Sequence, residues 1–147
     1  NLSSVETMWI EDNLLIGEIS PTISNLSSLK EIDLGRNSFS GSIPDELYSL
    51  NTLERIYLYD NQFSGNISEN ISSLTNLTTI NLQNNLFSGS FPDQICTLNI
   101  DYEYESIDEI YYLGYTWKRF NIENNSFCAE SYPSCIEQFM GNQNCND

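Results

Sequence analysis

The sequence predicts an α/β-type solenoid: a coil of about five repeats whose short strands line up in one concave parallel β-sheet. Three observations predict it. Asn13, Asn37, Asn61 and Asn85 stand 24 residues apart. The phrases that follow them, LLIGEI, SFSGSIP, QFSGNIS and LFSGSFP, repeat one pattern around a fixed glycine. The apolar residues before each asparagine recur in the same slots.

The repeats run in order along the chain. The first copy is Leu2, Val5, Met8, Ile10 and Asn13; the second is Leu26, Leu29, Ile32, Leu34 and Asn37. Leu50, Leu53, Ile56, Leu58 and Asn61 make the third, and Leu74, Leu77, Ile80, Leu82 and Asn85 the fourth. A fifth, RFNIENNSF, puts Phe120, Ile122 and Asn125 in those slots 40 residues after Asn85, so a 16-residue insertion at 99–114 interrupts the series. Ile32-x-Leu34 alternates with period two, the mark of a short strand with one face inward. Stacking buries that face against the next coil, and no single copy folds alone. The asparagine column falls where the chain turns after each strand, where a buried amide satisfies backbone groups of neighbouring coils. Gly17, Gly41, Gly65 and Gly89 mark a turn that needs positive φ or close backbone approach. Pro44 and Pro92 follow as edge or turn residues. All of these positions are structural.

The L-x-x-L-x-L-x-x-N-x-F-S-G-x-I-P form resembles the plant-type, 24-residue leucine-rich repeat of extracellular receptor domains and polygalacturonase-inhibiting proteins. The resemblance covers roughly 1–98 and 115–136. It divides the chain into leucine-rich repeats over 1–127 and a C-terminal cap over 128–147. In that family a loop such as Cys128–Cys135 is closed by a disulfide, which implies a C-terminal disulfide cap with bridges Cys128–Cys135 and Cys96–Cys145, the second tying the tail back over the fourth coil. Four cysteines allow three pairings. They also imply an oxidising, extracellular setting.

Composition excludes several function classes. The net charge of −16 disfavours nucleic acid and anionic lipid as partners. With no histidine, the Ser-His-Asp and Cys-His triads and the commonest metal ligand are absent. The cysteine spacings of 32, 7 and 10 contain no C-x-x-C, so zinc is not expected. The sequence implies no cofactor and no metal. Apolar runs are a few residues long, too short for membrane insertion within this chain. The chain lacks a leading Met and a signal peptide, and reads as a mature or excised piece. Carboxylate pairs such as Glu11 with Asp33 are expected on any surface this acidic, and a concave face offers no closed pocket, so the protein is not read as an enzyme.

Function is expected on the outward strand residues of the concave face. The central column reads Trp9, Asp33, Tyr57, Asn81 and Asn121. Around it fall all five basic residues of the chain, Lys30, Arg36, Arg55, Lys118 and Arg119, with eight acids. Aromatics and arginine are enriched at interfaces, so the candidate binding residues are Trp9, Asp33, Arg36, Arg55, Tyr57, Tyr59, Asn81, Lys118 and Arg119. The competing reading pairs opposite charges across the strand ladder, as with Glu31 beside Arg55.

Within the insertion, Asp101, Glu103 and Glu105 alternate with Tyr102 and Tyr104, which suggests a strand with an acidic and an aromatic side. Tyr111, Tyr112 and Tyr115 follow. Related receptors often use such an interruption in a ligand site, and the plain alternative is a packed loop whose tyrosines cover the last coil. The spacing lacks the glycine and Asx ligands of a calcium-binding EF-hand. Sequons at Asn1, Asn25, Asn66, Asn70, Asn76 and Asn124 are glycosylation candidates, and only Asn124 lies in a concave column. Two functions remain. One is an extracellular, non-catalytic module, secreted or at the cell surface, that binds a protein, peptide or glycan through its concave face. The other is a structural subunit that self-associates head-to-tail at an uncapped N-terminal edge into a filament.

Overall fold

The 24-residue period becomes a stack of coils, seen in a computed structural model that describes residues 2–108, 115–128 and 132–145. Each copy contributes one short strand: β1 (Thr7–Trp9), β3 (Glu31–Asp33), β5 (Arg55–Tyr57), β7 (Thr79–Asn81) and β11 (Phe120–Asn121). They form one parallel sheet in the order β1-β3-β5-β7-β11. The register aligns Trp9, Asp33, Tyr57, Asn81 and Asn121 in a single row, so the insertion leaves the fifth strand in step. Ile32, Ile56, Ile80 and Phe120 alternate with that row and are buried, as a period of two requires.

A second parallel sheet lies past the turn: β2 (Ile16–Gly17), β4 (Ser38–Gly41), β6 (Gln62–Gly65) and β8 (Leu86–Phe87). Its inward residues Phe39, Phe63 and Phe87 stack with one another and with Phe127 of the fifth coil, at centroid spacings of 6.0, 6.1 and 6.2 Å. The glycine column takes positive φ as expected, 76° at Gly41 and 81° at Gly65.

The asparagine column does what a buried amide must. Asn85 Nδ2 donates to the carbonyls of Leu58, Leu82 and Gln83 at 2.9, 3.1 and 3.2 Å, while its Oδ1 accepts the Phe63 N–H at 2.9 Å. Asn37, Asn61 and Asn125 repeat the pattern. The neighbouring column, Asp12, Arg36, Asp60, Asn84 and Asn124, adopts left-handed backbone throughout, with φ of 50–55°. The sharp turn after each strand is made there. Asp and Asn tolerate this region; Arg36 is held in it by the surrounding coil.

The convex side returns through short helices: the α-helix α1 (Asp45–Tyr48) and 3₁₀ turns at Pro21–Asn25, Glu69–Ser73 and Asp93–Thr97. Pro44 and Pro92 sit at the N-cap of their helices, where no N–H is needed.

The insertion forms a hairpin, β9 (Glu105–Asp108) antiparallel to β10 (Tyr115–Lys118). The strand begins at Glu105, so the acidic–aromatic alternation of 101–104 belongs to the turn before it. Tyr102 packs inward on Phe120 and Phe139 and donates its hydroxyl to the Ile95 carbonyl at 2.9 Å, as the packed-loop reading expects. Tyr104 turns out. Tyr111 and Tyr112 lie outside the described residues.

The disulfides are Cys96–Cys135 and Cys128–Cys145, with Cα separations of 5.7 and 5.8 Å, which corrects the expected Cys128–Cys135 and Cys96–Cys145 bridges. The reason is a sixth rung that the tail supplies. Gln143 Oε1 accepts the Phe127 N–H at 3.2 Å, and its Nε2 donates to the carbonyls of Ile122 and Met140 at 3.0 and 2.6 Å. These are the bonds that Asn125 makes to the coil before it. The tail pairs with coil five through Asn125 and Gln143, which carries Cys145 to Cys128. Cys135, beside the buried Ile136, is left over the Cys96 helix.

Candidate functional site

Strand alternation decides which concave residues reach solvent. Trp9 is 63 % exposed, Asp33, Arg36, Arg55, Tyr57, Lys118 and Arg119 are half-buried, and Asn81 is 3 % exposed. Tyr59 is 3 % exposed because its ring lies flat over Gly35 of the coil before it, a space any side chain at 35 would fill. The Arg36 guanidinium sits 5.4 Å from the centre of that ring. Tyr59 and Asn81 are therefore packing residues of the sheet surface. Thr79 and Asn121, in the same rows, are also buried.

All five lysine and arginine side chains are ion-paired. Lys30 meets Glu6 at 2.9 Å, Arg36 grips Asp12 with two nitrogens, and Arg55 meets Glu31 at 2.7 Å. These partners lie one coil away, in the cross-strand geometry that competes with the binding reading. Lys118 meets Glu123 at 2.9 Å and Glu105 at 3.4 Å, and Arg119 meets Asp101 at 3.7 Å. The hydrogen bond to Glu123 raises the Lys118 pKa, and burial opposes it. Such pairs stabilise by little, about 0–1 kcal/mol each, and their larger effect here is to fix long side chains in place.

Three of the five cations share one cleft of about 380 Å³, lined by Arg55, Tyr57, Thr78, Thr79, Tyr104, Lys118 and Arg119. Its floor is β5 and β7, and its wall is the insertion. Tyr104 stands beneath the Arg119 guanidinium at 4.2 Å from ring centre to carbon, a cation–π contact that orients both. Tyr104 was absent from the sequence-based site; the signal was the clustering of tyrosines in the insertion beside a basic pair at 118–119. The Tyr57 hydroxyl is pushed up to about 12 by burial and by Glu31, so it stays a neutral donor at any physiological pH.

Asp33 stands apart on the same face. Its Oδ1 accepts the Gly35 N–H at 2.8 Å. Burial, with Glu11 and Glu31 nearby, raises its carboxyl to about 6, and the Gly35 bond and Arg36 offset only part of this.

The sequons at Asn25, Asn66, Asn70, Asn76 and Asn124 are all exposed, and Asn1 lies outside the described residues. Asn124 donates from Nδ2 to Asn84 at 2.7 Å. Among the described residues no cluster of acidic or cysteine side chains has the geometry of a metal site, and no helix is long and apolar enough to cross a membrane.

Comparison with known proteins places this geometry. Models of the leucine rich repeat match residues 3–63 and 76–98, together more than half of the chain. Receptor-like protein 52 of Arabidopsis thaliana is 44 % identical over 48 residues, 32 % of this chain and 6 % of that protein. The chain thus spans a small part of that relative. The Arabidopsis thaliana BIR3–SERK2 complex superposes with a TM-score of 0.74 at 25 % identity, over 95 % of this chain and 66 % of that one. The Arabidopsis receptor kinase HAESA, in complex with the peptide hormone IDA and the co-receptor SERK1, gives 0.65 at 30 % identity, over 67 % of this chain and 17 % of that one. With its repeat register, stacked coils and disulfide-held C-terminal end, the chain belongs to the leucine-rich repeat family in its plant extracellular form.

Proposed function

We propose that this is an extracellular, non-catalytic recognition module that binds a protein or peptide ligand across its concave face, centred on the cleft between β5, β7 and the insertion. The carrying observation is the cleft itself: Arg55, Lys118 and Arg119 converge there with Tyr57 and Tyr104, and ion pairs hold the cations in fixed positions. Fixed side chains lose little entropy on binding, and aromatic and arginine groups are the usual anchors of an interface. The peptide hormone in the HAESA complex makes a peptide a natural ligand class here too.

The test is a footprint. Peptides selected from a displayed library against the folded chain should protect residues 55–59, 78–81 and 118–121 from hydrogen exchange. Arg119→Ala or Tyr104→Ala should weaken their binding by about 1–3 kcal/mol. Protection confined to the convex helices, with binding lost in Glu69→Ala instead, overturns the reading.

A second reading, head-to-tail self-association, draws on the first coil. Leu2, Leu14 and Ile16 are 68, 93 and 80 % exposed, and a groove of about 160 Å³ opens beside Met8, Ile10 and Phe39. Light scattering and electron microscopy of the concentrated chain decide it. Filaments favour it, and a monodisperse monomer removes it.

A further inference from the structure

The sheet contains its own control for Asp33. The central row holds an asparagine at two other positions, and there the side chain makes the same bond. Asn81 Oδ1 accepts the Gln83 N–H at 3.2 Å, and Asn121 Oδ1 accepts the Glu123 N–H at 3.2 Å, as Asp33 accepts the Gly35 N–H. The turn therefore requires an oxygen acceptor and has no need of a charge. At Asp33 the charge is present and is costly, because the carboxylate is half-buried and faces Glu11 of the preceding coil and Glu31 of its own strand. Its register neighbours are aromatic on both sides, Trp9 and Tyr57. Trp9, 63 % exposed, is the largest apolar side chain that the described concave rows offer to solvent.

We propose that Asp33, flanked by Trp9 and Tyr57, is the anchoring subsite for a lysine or arginine side chain of the ligand. An ammonium or guanidinium group set over Asp33 neutralises the carboxylate and relieves its repulsion with Glu11 and Glu31. The indole and phenol faces receive the aliphatic stem and the edge of the cation. Among the described residues, the ion pairs of the chain's own cations go to other acids. In their ion pairs Lys30 meets Glu6, Arg36 meets Asp12, and Arg55 meets Glu31 and Glu54. The Arg36 charge offsets only part of the cost at Asp33, and its Nε and Nη2 donate to Asp12. The subsite rests on the concave reading above and extends it. Tyr57 belongs to both the cleft and this row, so a peptide lying in the cleft reaches Asp33 with its next residues.

The experiment is a titration of the isotope-labelled chain with N-acetyl-lysine methylamide and N-acetyl-arginine methylamide, with the glutamate analogue as control, followed by NMR. The cationic probes should move the Trp9 indole N–H and the amides of residues 33–35 saturably, and the glutamate probe should not. Asp33→Asn keeps the turn bond and should weaken the response about tenfold, as should Trp9→Ala. Affinity should fall as pH is lowered from 7 to 5, because protonated Asp33 no longer pairs with the cation. Equal response to the glutamate probe, or full affinity in Asp33→Asn, overturns the inference. If selected peptides still footprint the cleft while the cationic probes leave residues 33–35 untouched, this inference alone fails. A footprint on the convex side removes the concave reading itself.

Discussion

At the scale of the residue, the repeats provide internal comparisons that separate structural from functional side chains. Asn85 is buried and the four bonds of its side chain serve two coils, whereas Asn13 is exposed and its side-chain amide donates to the carbonyls of Ile10 and Glu11 in its own coil. Asn85→Ala leaves several buried backbone groups unpaired, and urea unfolding should show a loss of about 3 kcal/mol or more. The same change at Asn13, where water replaces the amide, should cost under about 1 kcal/mol. Equal costs would mean that the ladder is no cross-coil element. Asp33 works in the opposite direction. Its folded carboxyl titrates near 6 against an ordinary 3.8, so the folded state holds the proton more tightly than the unfolded chain. Its favourable contribution is full below about 3.8 and is lost as the pH rises through about 6. Asp33→Asn should therefore stabilise the protein at pH 7, by on the order of 1 kcal/mol once solvent screening of a half-buried group is allowed for, and change little at pH 3.5. Melting curves at the two pH values check this, and a variant less stable at pH 7 contradicts it. A residue whose removal raises stability while lowering binding is where function overrides packing.

At the scale of the element, the insertion hairpin turns an open sheet surface into a cleft. β9 and β10 pair with each other and hand the chain back to β11 in register with β7, so the solenoid tolerates the extra residues without a step. Tyr104 is the one side chain of the 101–104 turn seen lining the main cleft, and it shares the Arg119 guanidinium with Asp101. Tyr104→Ala should leave the melting temperature within about 2–4 °C of the parent, because the ring is on the surface, and should still weaken peptide binding. Unchanged binding would reduce the hairpin to a packed loop. Much of this level was legible in the sequence. A fixed period dictates strand direction, register and the asparagine and glycine columns, because translation along the stack places like residues on like neighbours. Where translation fails, legibility fails with it. Tyr59 occupies an outward column yet is buried, since Gly35 beside it leaves a floor for the ring. Its own column shows this only when the residue one coil earlier is considered. The Gln143 rung was hidden for a related reason. The tail meets the ladder one residue short of the repeat spacing, and the extra methylene of glutamine makes up the distance that asparagine spans elsewhere. The disulfide pairing followed from that rung, and cysteine spacing alone carried no trace of it.

At the scale of the whole molecule, the solenoid is a row of interfaces with two unlike ends. In the first coil, Val5, Met8 and Ile10 are only partly buried, while in the coils behind it the matching residues are nearly inaccessible. At the other end, residues 140–145 complete coil five with backbone, side-chain and covalent links: Asn124 and Asn144 each form a backbone bond across the junction, Gln143 fills the ladder, and Cys145 is bridged to Cys128. Stability in such a stack is a sum of coil terms and nearest-neighbour terms, so a break at one end propagates inward and fades with distance. The Cys128→Ser/Cys145→Ser variant should therefore lose amide protection first at Phe127, Asn125 and Ile122, less at Leu82 and Phe87, and scarcely at Ile32 and Leu34. The total cost should be about 2–5 kcal/mol, as for native disulfides generally. The Cys96→Ser/Cys135→Ser variant frees the segment around Ile136 from the fourth coil while the Gln143 rung stays closed, so its exchange should rise first at Ile95 and Ile136. Hydrogen exchange read residue by residue separates the two patterns. Uniform loss of protection along the chain in both variants would show that the coils unfold as one unit and that the tail acts as a general crosslink. Loss graded from the C-terminal end would establish the tail as a sixth, pseudo-repeat coil whose disulfide holds the ladder closed.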